Sequence, residues 1–210
     1  MQSVVVSVNV STARTVEYNG KLVETGIFKE PVAGRIALRG INLVGDDQAD
    51  RTVHGGPEQV VYAYALEDYE WWEPSVKVPL TPGKFGENLT TRGVDVSGAL
   101  VGERWRVGSA VLQVTGPRVP CSKLAMTMDD PQFIKKFAQA LRPGAYFSVV
   151  SEGDIGAGDP IEIVLRPHHH LTIAEMANVF LLERSRLREL LAVPELSNAW
   201  RDWIASHTSE

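Results

Sequence analysis

The 210-residue sequence predicts a mainly β protein: a closed β-barrel-like domain with helical insertions, followed by a small C-terminal three-helix segment. Three observations predict it. The 18 glycines and 12 prolines fall largely between short valine-rich runs, the pattern of many strands joined by tight turns. Beyond about Leu165 glycine becomes scarce and apolar residues recur at helical spacing. Hydrophobic content of 44% with 22% charged residues is enough to fill a substantial core at this length. The expected division is therefore 1–166 for the barrel and 167–210 for the helical extension.

The elements follow in order. "SVVVSVNVS" at 3–11 is β-branched and partly alternating, a first strand. Further strand candidates are "KLVETGIF", "GRIALRG", "EQVVYAYA", "WRVGSAVLQVTG", "AYFSVVSEG" and "PIEIVLRP", bounded by Gly, Pro, Asn or Asp. Two helices interrupt them. Residues 65–73 place Leu66 and Tyr69 at helical spacing, and residues 129–142 carry an Asp cap, Pro131 in the first turn and a stripe of Phe133, Phe137 and Leu141. In the tail, Thr172 with Glu175 three positions later makes a capping box. Pro194 is expected to open a last helix bearing Leu196, Trp200, Trp203 and Ile204.

The formal charge of −5 disfavours a protein that coats nucleic acid. Arg184, Arg186 and Arg188 are mixed with acids, so a DNA-reading helix in the tail is not expected. No apolar run approaches the roughly 20 residues a bilayer needs. The first cation is Arg14, so the N-terminal valines read as a strand rather than a signal peptide. The single cysteine fits a reducing compartment, and the cytoplasm is the expected location.

That cysteine, Cys121, lies in "GPRVPCSKL", behind Pro117 and Pro120 and between Arg118 and Lys123. Prolines stiffen the turn, and nearby cations favour the thiolate, the form that attacks and that binds soft metals. A cysteine buried at a strand end among unrelated cations is an equally good reading of the same stretch. "GDDQADRTVHGGPEQVVYAY" places His54 before Gly55 and Gly56, where backbone amides unobstructed by Cβ atoms form an anion nest. A plain tight turn also explains an HGG. "TPGKFGENLTT" at 81–91 offers Lys84, Asn88 and several backbone donors in one irregular loop. His168–His170 is read as a solvated hinge, since adjacent side chains diverge rather than converge on a metal. The Trp71–Trp72 pair, Trp200 and Trp203 read as packing residues. Nucleotide P-loop, dinucleotide G-x-G-x-x-G, G-x-S-x-G and H-E-x-x-H motifs are all missing from the sequence.

Taken in chain order, HGG, then FGENLTT, then PRVPCSKL, with the sequence between them, resemble the MOSC domain, named for the C-terminal domain of molybdenum-cofactor sulfurases. The helical tail and the FGENLTT wording are similar to its YiiM-like subgroup. The resemblance implies a β-barrel-like fold and the molybdenum cofactor, Mo-molybdopterin. It implies Cys121 as the molybdenum ligand and catalytic residue, with His54, Gly55, Gly56, Asn88, Arg118 and Lys123 binding the cofactor. Gln59 departs from the family, standing where a basic residue is frequent.

Some members of the family reduce N-hydroxylated compounds such as hydroxylamino purines, amidoximes and hydroxamic acids, a detoxification. Others handle sulfur through a cysteine persulfide. The expected function is therefore a molybdenum-dependent oxidoreductase acting on a small N-hydroxylated substrate, with a Cys121 persulfide carrier as the alternative. One cysteine cannot hold an iron–sulfur cluster, and no flavin or nicotinamide fingerprint is present. Electrons are expected from a separate flavin or iron–sulfur protein, with no nucleic-acid or membrane partner.

Overall fold

The computed structural model describes residues 2–47 and 56–208. The N-terminal strands are β1 (Val4–Val10), β2 (Arg14–Tyr18), β3 (Lys21–Thr25), β4 (Glu30–Pro31), β5 (Arg35–Arg39) and β6 (Asn42–Leu43). Next come β7 (Val61–Ala65), helix α1 (Leu66–Trp72) with a 3-10 turn at Glu73–Ser75, β8 (Leu89–Arg92), β9 (Arg104–Val107) and β10 (Ala110–Pro117). Helices α2 (Ser122–Thr127) and α3 (Phe133–Ala140) precede β11 (Ala145–Ser151), β12 (Gly153–Gly156) and β13 (Ile161–Leu165). The tail is α4 (Ile173–Leu181), a 3-10 stretch over Arg184–Ala192, and α5 (Asn198–His207).

The main sheet has eight strands in the order β13-β9-β10-β11-β7-β8-β1-β4. It is open, which corrects the expected closed barrel. Closure would require β1 to pair along β13. Instead β1 gives its second edge to the two-residue β4, and reaches toward β13 through one bridge, Val4 to Pro160. Three backbone bonds surround that bridge, Val5 N to Asp159 O, Gly158 N to Val5 O and Ile161 N to Ser3 O, and the pairing goes no further along β13. Smaller sheets, β12-β5-β6 and β2-β3, accompany the large one.

Strand β7 sits near the centre and is buried along its whole length. Alternation sends Val61, Ala63 and Ala65 into one core while Tyr62 and Tyr64 enter another. The first core continues into the tail through Ile173, Met176, Val179, Leu187, Leu190, Leu196 and Ile204. The second is aromatic, with Tyr69, Trp72, Phe85, Phe133 and Phe137 closing on Tyr64, whose ring stacks on Phe85 at 4.3 Å. Each such fully buried side chain stabilises by roughly 1.5–3 kcal/mol. The pairing of β7 with β8 is parallel. It demands a crossover, supplied by α1 and the loop after it, and so returns the FGENLTT segment beside Tyr62.

Helix boundaries differ from expectation in two places. Asp130 bonds the Gln132 N–H in the turn before α3, whose N-cap is Gln132 rather than an aspartate. Pro194 lies ahead of α5, which Ser197 caps through the Trp200 N–H. The Thr172–Glu175 cap is present at 3.1 Å. His169 is more than a hinge: it accepts the Leu171 N–H at Nδ1 and meets the Val101 carbonyl at Nε2, tying the linker down. Arg186 is committed to Glu175, Glu183 and Glu189, and Arg188 donates to Thr208 O.

Candidate functional site

The chain leaves β10 at Pro117, and Pro120 cannot donate to a ladder, so the strand ends in a fixed turn. Cys121 follows in extended conformation as the N-cap of α2, a short helix the sequence reading did not foresee. Its carbonyl accepts from Leu124 N, but its side chain makes no capping bond. The thiol is free and half-buried. It lines a cavity of about 410 Å³, within the usual size of small-molecule sites. Pro117, Val119 and Pro120 form the wall beside it, and Glu58 and Gln59 contribute a polar patch. Tyr146, Phe180, Trp200 and Trp203 make an aromatic wall.

Arg118 lies three residues before Cys121 and is almost wholly buried. Its guanidinium sits 5.0 Å above the Tyr62 ring, and its Nε has no hydrogen-bond partner. Burial opposes the charge, yet Tyr146, Tyr62, Cys121 and Glu87 around it hold the guanidinium above its ordinary value. Burial likewise pushes the Tyr146 hydroxyl up, while Arg118 pulls it back. Lys123 stands half-buried in the first turn of α2.

Asn88 is buried and fully engaged. Its Oδ1 accepts from Tyr62 N at 3.1 Å, and its Nδ2 donates to Asp46 Oδ2 at 2.9 Å and Asn9 O at 3.3 Å. Asp46 is in turn paired with buried Lys29. Asn88 thus fixes the strand whose Tyr62 ring supports Arg118. Gly56 opens the turn that accepts Gln59 N, leading directly to the cavity residues Glu58 and Gln59. His54 and Gly55 lie outside the described residues. The structure therefore brings Cys121, Arg118 and the segment after Gly56 together, and links Asn88 to them through Tyr62.

Two sets of residues escaped the sequence reading. Glu87, the neighbour of Asn88, is fully buried and organises the FGEN loop. It accepts from Gly83 N, Phe85 N, Thr90 Oγ1 and the Tyr69 hydroxyl. Gly86 has φ +76° and approaches Arg118 and Ile27 so closely that a Cβ would lie 2.8 Å from Ile27 Cγ1. Only glycine serves there.

The second set is on α5. Trp200 lies against Gly116 of β10, where a Cβ would come within 2.7 Å of its Nε1. Ser197 donates to Glu58 Oε2 at 2.6 Å, and Thr115 bonds Glu58 O, so the tail, the bulge in β10 and the Glu58 segment are held together. The Gly116→Ala variant is expected to displace Trp200 and to destabilise the protein by roughly 1–3 kcal/mol, as overpacking does. Thermal melting and a shifted tryptophan emission check this. An unchanged melting temperature and emission would show that α5 is not seated on Gly116.

The MOSC domain profile matches residues 50–162, which contain the Cys121 turn, Arg118, Asn88 and the segment through Gly56. The chain belongs to the MOSC domain family. This MOSC protein is 35% identical to the uncharacterized protein YflK of Bacillus subtilis over 201 residues, 94% of this chain and 90% of that one. The crystal structure of YiiM from Geobacillus stearothermophilus matches with a TM-score of 0.80 at 31% identity, over 99% of this chain and 100% of that one. A protein named Reductase from Gibberella moniliformis is 28% identical over 166 residues, 76% of this chain but 29% of that longer protein. The resemblance to YiiM extends beyond the matched domain into the helical tail, making this a YiiM-like MOSC protein.

Among the described residues, no cluster of three or more His, Cys, Asp or Glu is arranged to hold a metal. Among them, too, no helix is long and apolar enough to cross a membrane.

Proposed function

We propose that this MOSC protein is a molybdenum-cofactor-dependent reductase of N-hydroxylated compounds that draws its electrons from a separate flavin or iron–sulfur protein in the cytoplasm. The observation that carries the reading is a free thiol on the wall of a ligand-sized cavity, three residues from a buried guanidinium with an unpartnered Nε. The residues fit the cofactor by their chemistry. Cys121 is a soft sulfur donor suited to molybdenum, and Arg118 offers a charge-assisted hydrogen bond to an anion such as the pterin phosphate. When bound, the molybdenum cofactor supplies the two-electron chemistry that removes oxygen from an N–OH group.

The chain's own part is to hold and to shield. Cys121 is placed by Pro120 and the first turn of α2, a rigid seat for the donor sulfur. Arg118 packs over the Tyr62 ring, whose backbone Asn88 fixes, and Lys123 is a second cation in the first turn of α2. His54, Gly55 and Gly56 are assigned to the cofactor by the family motif. The aromatic and proline walls exclude water from the N–OH group, leaving Glu58 and Gln59 as the polar side of the cavity.

Protein produced in a host that makes the molybdenum cofactor is expected to carry about one molybdenum per chain. It should reduce an N-hydroxylated base with reduced viologen and not with NADH alone. Steady NADH-driven turnover by the isolated chain would remove the need for a partner. Molybdenum-replete protein inert with reduced viologen would overturn the reductase reading. Molybdenum-free protein bearing a cyanide-releasable sulfur on Cys121 would establish the persulfide carrier instead.

A further inference from the structure

We infer that Trp203 and Trp200 on α5, with Phe180 on α4, form a selectivity wall that makes the Cys121 cavity prefer flat aromatic substrates over puckered ones of equal size. The inference rests on the reductase reading for the N–OH group, and on the cavity alone for the shape of what carries it.

The wall is built, not incidental. Phe180 meets Trp200 edge-on at 5.1 Å and Trp203 at a tilt of 54° at 4.8 Å, and the two indoles stand 6.3 Å apart at 72°. Trp203 is braced from behind by His207, stacked at 4.1 Å with the planes 15° apart. Trp200 is seated on Gly116, and Ser197 latches the start of α5 to Glu58. Tyr146 adds a fourth ring from the sheet. Rings held this way lose little conformational freedom on binding, so their faces and edges are available to a planar guest without reordering. Cys121, Pro117 and Pro120 line the same cavity as the rings, so a ring held by the wall shares the cavity with the thiol. None of these rings is near Cys121 in sequence, and the wall exists only because α5 returns to the bulge in β10.

A matched pair isolates flatness from the N–OH group: benzohydroxamic acid and cyclohexanecarbohydroxamic acid. Calorimetric titration and tryptophan quenching on the cofactor-free chain should show the benzo compound binding about tenfold more tightly, the size of one good aromatic contact. Trp203→Leu keeps an apolar side chain but removes the ring, and should bring that ratio to near one with the melting temperature held. Ala199→Leu, at an exposed position on the same wall, should weaken the benzo compound selectively by narrowing the slot, and carries the test if the Trp203 variant does not fold. Equal affinities in the wild type, or an undiminished ratio in a folded Trp203→Leu or Ala199→Leu protein, would overturn the wall. The two readings fail separately. Loss of all N–OH reduction in loaded protein with the binding ratio intact defeats the reductase alone, and the reverse defeats the wall alone.

Discussion

Cys121→Ser is expected to abolish reductase activity and cofactor retention while leaving the fold as stable as the wild type or slightly more so. The reason lies in where the residue sits. Cys121 is the N-cap of α2 and its thiol makes no capping bond. Serine is among the best N-cap residues, and its Oγ can accept an N–H in the first turn, worth about 0.5–2 kcal/mol. A hydroxyl is a poor donor to a soft metal, so the same change removes the protein's sulfur from molybdenum. Activity should fall by more than about 100-fold, the most that losing an outer-shell partner of a metal ligand costs. Molybdenum analysis, turnover with reduced viologen and a thermal melt of one preparation check both halves. A Ser variant with normal turnover would show that Cys121 is not the ligand. One that is inactive because it unfolds would show that the thiol is a packing residue.

Glu87→Ala is expected to be the most destabilising single change in the FGEN loop. The carboxylate is fully buried and receives two backbone N–H groups, the Thr90 hydroxyl and the Tyr69 hydroxyl. Burial pushes its pKa up, and the bonds from Thr90, Tyr69 and Gly83 pull it back. Removing it orphans several buried donors at once, each at about 1–3 kcal/mol before relaxation, so a loss of at least about 3 kcal/mol is expected. For a chain of this length that lowers the melting temperature by roughly 6–12 °C. Glu87→Gln retains the shape but turns an NH2 toward one of the donors, and should fall between Ala and wild type. Urea unfolding of the three proteins decides it. An Ala variant within about 1 kcal/mol of the wild type would mean that water replaces the carboxylate and the loop does not depend on it.

Glu87 also shows why the loop was only half legible. In sequence, "FGENLTT" reads as a polar segment whose amide side chain at Asn88 is offered to a ligand. In the structure both residues face inward, and Asn88 spends its hydrogen bonds on Tyr62, Asn9 and Asp46. A polar residue in a glycine-bounded loop carries no local mark of which way it points. That direction is set by the parallel pairing of β7 with β8, and Asn9 and Asp46 come from distant parts of the chain.

What the sequence by itself determined is what depends on neighbours along the chain. Alternation and β-branching located most strands, the Thr172–Glu175 pair marked the start of α4, and the proline-flanked cationic turn singled out Cys121. The ordered motifs pointed to the family. The tertiary structure alone decided the rest. Whether a sheet closes depends on the pairing of its outermost strands, here limited to one bridge between Val4 and Pro160, so a barrel-like pattern yields an open sheet. Tryptophans 200 and 203 have the helical spacing of packing residues, and part of their surface is packed. They also line the cavity because a glycine on β10 leaves room for an indole and a serine on the tail finds Glu58. Local dihedral and patterning preferences are legible in sequence because they act over a few residues, whereas the docking of α5 against the Cys121 turn is a contact between surfaces that no single stretch encodes.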